Sequence, residues 1–176
     1  KRHFSKANNG LMQIIILHAL IFVGIQVFCK TILLVLGYKA LFYTSYQSLL
    51  LPADWSHFVQ QPWSLCTYFW LHQDLVPMLW NLAVLYGFGQ LASDLLGSKH
   101  LVRLYLSGGI VGGLLFLLLY NHVPYFKEMS PYIIGNAGSL YAILISAATV
   151  APERTLRLFF VITLKLRHVA WIMLLL

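Results

Sequence analysis

Between Leu11 and Leu36 the chain is almost continuously apolar, interrupted by His18 and Lys30. About 20 apolar residues suffice to cross the hydrocarbon core of a bilayer, and a longer run crosses with some tilt. Such stretches recur. A second runs from near Pro77 to about Leu96, a third from Leu101 to Tyr120, and a fourth from Gly135 to Pro152. Of 176 residues, 60% are hydrophobic and only 10% charged. A soluble domain carries roughly 25% charged residues, so this much apolar surface has no water-soluble arrangement. The expected fold is an all-α, polytopic membrane helical bundle.

The segments between the spans are equally informative. Residues 37–68 hold Tyr38, Tyr43, Tyr46, Trp55, Phe58 and Trp63 together with Pro52, Asp54 and Pro62. This stretch is too polar to span and too aromatic for a solvated linker, so it is expected to lie in the membrane interface as a structured loop. The last apolar stretch, from Leu158, is broken by Lys165, Arg167 and His168, and is expected to turn up into a fifth helix. It ends on Leu174-Leu175-Leu176 without a polar cap, which predicts that the helix continues. Residues 1–176 are read as one transmembrane domain, truncated at its C-terminus.

Basic residues set the orientation. With the N-terminus in the cytoplasm, Lys1, Arg2, Lys6, Lys99, Arg103, Arg154, Arg157, Lys165 and Arg167 fall on that side, and Lys39 and Lys127 fall outside. This bias obeys the positive-inside rule. The net charge of +7 is therefore loop charge, and no basic face with stacking neighbours points to nucleic acid. Cys29 and Cys66 make neither a disulfide framework nor a metal site. No His/Cys/carboxylate cluster has metal-ligand spacing, and no cofactor is expected. In the third span Gly108-Gly109 and Gly112-Gly113 form two overlaid Gly-x-x-x-Gly pairs. These let another helix backbone approach closely, most simply one within the same protomer.

Several motifs occur together and in order. Pro62-Trp63-Ser64-Leu65-Cys66-Thr67-Tyr68 precedes the second span. Leu71-His72-Gln73-Asp74 follows, with Asn81 nine residues after His72. Tyr86-Gly87-Phe88-Gly89 and Leu95-Leu96-Gly97-Ser98-Lys99 close the second span, and Gly135-Asn136-Ala137-Gly138-Ser139-Leu140-Tyr141 opens the fourth. From about Trp63 to Arg157 this set resembles the rhomboid family of intramembrane serine proteases. That family has Gly-x-Ser-Gly-x-x-Tyr at the head of helix four and His-x-x-x-x-His-x-x-x-Asn at helix two.

The resemblance implies a Ser–His dyad, with the serine on helix four attacking a peptide carbonyl and a histidine on helix six taking its proton. The oxyanion would be held by the asparagine, the second histidine of helix two and a backbone N–H. The chain departs from this at two positions. Ala137 stands at the nucleophile, and Pro77 at the second histidine, where it supplies no donor. Asn81 matches the oxyanion asparagine. His72, Gly135, Gly138 and Tyr141 match positions that support the site. Ser139 lies two residues, about 200° of helix, from Ala137 and would face away from it.

The chain therefore reads as a rhomboid-family membrane protein with an inactive protease site. Two explanations stand. One is a natural pseudoprotease that binds transmembrane segments of clients or serves as a subunit of a membrane complex. The other is a rhomboid endopeptidase inactivated by Ser→Ala at position 137. The polar residues also have plainer roles: His18 as a packed histidine, and His72 and Asn81 as partners of backbone carbonyls that the bilayer would leave orphaned. The aromatic-rich loop suits a bacterial inner membrane.

Overall fold

The computed structural model describes residues 9–128, 130–158 and 162–175. Lys1, Arg2, Lys6 and Leu176 lie outside them. The first span starts as α1 (Asn9–Phe22), passes through a π-helical stretch (Val23–Cys29) and continues as α2 (Lys30–Val35). Gly37, at φ +81°, ends it in the left-handed region. Residues 37–68 fold into α3 (Lys39–Gln47), β1 (Leu51–Pro52), α4 (Trp55–Gln60) and α5 (Ser64–Thr67). Asp54 caps α4 by accepting from the Ser56 amide at 3.2 Å.

Two long helices follow, α6 (Leu75–Leu96) and α7 (Ser98–His122), joined at Gly97, whose φ is +88°. After a 3-10 turn (Pro124–Glu128) comes β2 (Tyr132–Ile133), which pairs antiparallel with β1. Then α8 (Ala137–Val150) runs back, followed by β3 (Thr155–Leu158), β4 (Ile162–Lys165) and α9 (Leu166–Leu175). The segments Gly10–Val35, Leu75–Leu96 and Ser98–His122 are long and apolar enough to cross a membrane, and Ala137–Val150 is a shorter apolar helix. The chain is an all-α membrane bundle. The β3–β4 hairpin was not expected from its sequence, where the basic residues read only as interruptions. Glu153 ties it to the start of α9 through Lys165 Nζ and Arg167 Nη1, both at 2.6 Å. The bonded Lys165 ammonium, with Arg167 beside it, holds the Glu153 carboxyl below the ordinary carboxylate range.

The direction of α8 positions the site. A Cβ on Gly112 would lie 3.0 Å from Gly138 Cα, and one on Gly108 would meet the Ala142 methyl. Descending α7 from 112 to 108 thus matches ascending α8 from 138 to 142, so the two helices are antiparallel. The head of α8 lies level with Gly112, about 15 Å short of the end of α7 at 1.5 Å per residue. With 14 residues, α8 is only about 21 Å long. Its N-terminus is therefore recessed into the bundle. The opposite end returns toward the start of α7, where the Gly10 amide donates to Ser98 Oγ at 2.8 Å. Lys99, Arg103, Arg154, Lys165 and Arg167 gather at this end.

The glycine pairs divide their work. Gly108 and Gly112 face α8, as the spacing implied. Gly109 and Gly113 do not lie against a helix backbone. Gly109 faces the Phe69 ring, and Gly113 faces Leu51, Leu65 and Tyr68. The sequence could not distinguish close helix approach from room for an aromatic ring, because both ask only for a missing side chain. A Cβ on Gly138 would sit 2.8 Å from the Gly108 carbonyl oxygen and 3.1 Å from Gly112 Cα, both backbone atoms. Gly138→Ala is therefore expected to cost about 1–3 kcal/mol and to lower the unfolding temperature in detergent with the oligomeric state unchanged. Gly24→Ala, with nothing within 4 Å of the added methyl, is the control expected to change little. Equal midpoints for the two variants would contradict the close contact.

Candidate functional site

Three segments converge at the recessed head of α8. The loop before it is pinned from both sides. Ala53 N–H donates to the Pro131 carbonyl at 2.8 Å, and Gly135 N–H donates to the Tyr68 carbonyl at 3.1 Å. Gly135 holds φ +100°, which other residues adopt only under strain. The chain can thus drop into the bundle, turn at Asn136 and start α8 at Ala137.

The sequence-derived site residues occupy distinct environments. Ala137 is exposed and first in α8, and Gly138 packs on α7. Tyr141, one turn further on, is half-buried. Pro77 lies in the first turn of α6 and is exposed. First-turn N–H groups have no intrahelical acceptor, so proline is tolerated there. His72 is buried, and Asn81 half-buried on α6. The plainer expectation for both was a backbone carbonyl. The Trp70 carbonyl does interact with the His72 ring, and the Asn81 Nδ2 amide donates to His72 Nε2 at 3.3 Å, which leaves the proton of a neutral His72 on Nδ1. The His72 carbonyl accepts from Gln26 Nε2 at 3.1 Å and from the Tyr46 hydroxyl at 3.2 Å. The π-helical stretch of the first span and α3 thereby both reach this residue.

His18 is fully buried. Its Nδ1 donates to the Ile14 carbonyl at 2.9 Å, which leaves Nε2 to accept from the Tyr105 hydroxyl at 2.8 Å. The Phe69 carbonyl lies 3.3 Å from the Tyr105 oxygen. The His18 ring stands 5.5 Å from the His72 ring. Asn136 faces His72 and Tyr105, and Ser139 faces Tyr105, neither with a hydrogen bond of good geometry. Ser139 is thus turned inward while Ala137 is exposed, as two residues of helical rotation require.

Tyr105, Asn136 and Gln26 were not singled out in the sequence. Their only signal is a polar group within or beside an apolar helix. The spatial neighbours that give them meaning lie far away along the chain. Tyr105→Phe removes one hydroxyl and keeps the ring. It is expected to lower the unfolding midpoint by an amount corresponding to about 1–3 kcal/mol, the cost of leaving buried partners unmet. An unchanged midpoint would show that the bond to His18 contributes nothing to stability.

Among the described residues no group of three or more His, Cys, Asp or Glu could hold a metal ion. The arrangement offers hydrogen-bond donors and acceptors at the head of a recessed helix, with a methyl group at its exposed first position. Comparison with known proteins gives one finding. The family model described as Rhomboid domain matches residues 59–176, two thirds of the chain. No curated protein and no solved structure matches it. The matched region contains α5 to α9, the ordered motifs from Trp63 onward and the recessed head of α8, and the chain belongs to the rhomboid family.

Proposed function

We propose that this rhomboid-family membrane protein has an inactive protease site and that it binds transmembrane segments, of clients or of partners in a membrane complex. The observation that carries the reading is the exposed methyl of Ala137 at the head of α8, where the family motif has its serine hydroxyl. Without that hydroxyl no acyl-enzyme forms. Ser139 is no substitute, because its hydroxyl is buried on the inner side of α8.

The oxyanion side supports the same reading. Pro77 has neither an imidazole nor an amide proton to offer. Asn81 keeps the family's amide, and its Nδ2 is engaged by His72. Losing the chemistry does not close the site. Trp80 and Pro77 on α6 are exposed, and Asn81 beside them can donate to a client backbone. An unwound stretch of client helix presents carbonyls that hydrocarbon cannot satisfy, and an amide at this depth is the partner they need. The gathering of basic residues at the end where α1 starts supports an N-terminus on the cytoplasmic side, and the bacterial inner membrane is the host membrane we infer.

Asn81→Ala is expected to weaken capture of a transmembrane client, measured as pull-down from detergent or as crosslinking yield in vesicles. His18→Ala, on the far side of His72, is expected to leave capture intact in the folded fraction. Equal loss in both variants would assign the effect to general destabilisation and remove the role given to Asn81.

A further inference from the structure

The carbonyl of His72 receives two donors from different parts of the fold. Gln26 Nε2 reaches it at 3.1 Å from the first span, and the Tyr46 hydroxyl at 3.2 Å from α3. The ring of the same residue accepts from Asn81 on α6. His72 therefore joins the first span and α3 to the amide given to a client. Leu71 beside it is buried in a small apolar cluster separate from the main core. Phe42 and Tyr46 of α3 share that cluster, and Ile21, Ile25 and Leu33 of the first span pack against it.

The first span meets this cluster through its π-helical turn. The Lys30 amide donates to the Ile25 carbonyl, five residues back instead of four, so the turn absorbs one extra residue. In an unbroken α-helix, position 33 would stand about 80° around the axis from position 25. With one residue absorbed, Leu33 lies close to two full turns from Ile25 and shares its stripe. Burial follows the shifted stripe. Leu33 is half-buried, while Phe28, Cys29 and Ile32, along the unshifted one, are exposed. Gln26 sits half-buried inside the widened turn. Its amide needs a partner in an apolar span, and the His72 carbonyl provides one.

We propose that Gln26 is a positioning residue: the widened turn carries its amide to the His72 carbonyl and fixes the peptide from which the His72 ring aims Asn81 at a client. Asn81 Nδ2 carries two hydrogens. One goes to His72, and holding His72 still sets the direction of the other. The proposal rests on the reading of Asn81 as a client donor, but the hold of Gln26 on the His72–Asn81 pair can be measured with no client present.

The sequence makes that measurement selective. His72-Gln73 is its only His-Gln pair and Trp80-Asn81 its only Trp-Asn pair. Labelling the carbonyl of the first residue with carbon-13 and the nitrogen of the second with nitrogen-15 therefore isolates one peptide bond in each sample. Solid-state NMR of the full chain in vesicles then reads the His72 carbonyl and the Asn81 amide. Gln26→Met keeps the length of the side chain and removes the donor. It is expected to move the His72 carbonyl upfield, as loss of a hydrogen bond does, and to displace the Asn81 resonance. It is also expected to lower crosslinking of a transmembrane client from position 80 by roughly 2–10-fold, the net effect of one hydrogen bond. Tyr46→Phe, which removes the other donor, is expected to move the carbonyl in the same direction. Val27→Met, at an exposed site in the same turn, is the control expected to leave both resonances and the yield in place. A His72 carbonyl unmoved by Gln26→Met would overturn the contact. A moved carbonyl with the Asn81 resonance unmoved, or displacements no larger than those of Val27→Met, would overturn the positioning role. Both resonances moved in Gln26→Met, with no client captured even by the parent chain, would uphold the hold on Asn81 and reject the client reading instead.

Discussion

Reconstituted in vesicles with a transmembrane reporter, the unaltered chain is expected to leave the reporter uncut, and a fluorophosphonate probe is expected to label no residue of it. The nucleophile carries the covalent step of a serine hydrolase. Removing it from such a site lowers turnover by a factor on the order of 10⁶. The nearest hydroxyl along the helix is Ser139, and its burial under α7 denies it both probe and substrate. Probe labelling mapped to Ser139 would show that α8 presents a different face from the one described, and it would remove the basis for calling the site inactive.

Restoring the hydroxyl is expected to be insufficient. Ala137→Ser returns the nucleophile to the exposed first position of α8, but the oxyanion still lacks one of its family donors. Pro77 cannot supply it, and a missing oxyanion donor costs about 100–1000-fold. The expected result is cleavage at least about 100-fold below that of an active rhomboid assayed alongside, with a partial gain when Pro77→His is added. Robust cleavage by the single revertant would instead assign the chain to the endopeptidases, inactivated at position 137 alone.

The spans were legible because their signal is local. Four apolar stretches and their order follow from hydropathy, and α6, α7 and α8 begin and end within a few residues of expectation. Start positions slipped where proline misled: α6 begins at Leu75, two residues before Pro77, because proline is accepted within a first turn. The motif from Gly135 to Tyr141 located the head of α8. Its recessed depth came only from the match of Gly112 to Gly138. The polar network was the least legible part. His18, Tyr105 and His72 are separated by whole helices, and each taken singly reads as an ordinary packed side chain. Nothing local says that Asn81 would bond to His72 rather than to a carbonyl.

The central claim is that the rhomboid scaffold is kept here for holding a transmembrane helix rather than cutting it. The most direct measurement places photocrosslinking residues one at a time at positions 80 and 81 in native membranes and maps the products by mass spectrometry. The account predicts crosslinks to a membrane-embedded helix of a partner, recovered at full length with no cleavage product and reduced by Asn81→Ala when the probe is at position 80. Crosslinks confined to probes in residues 37–68 and at the basic end of the bundle would contradict it, as would recovery of the captured helix in cleaved form.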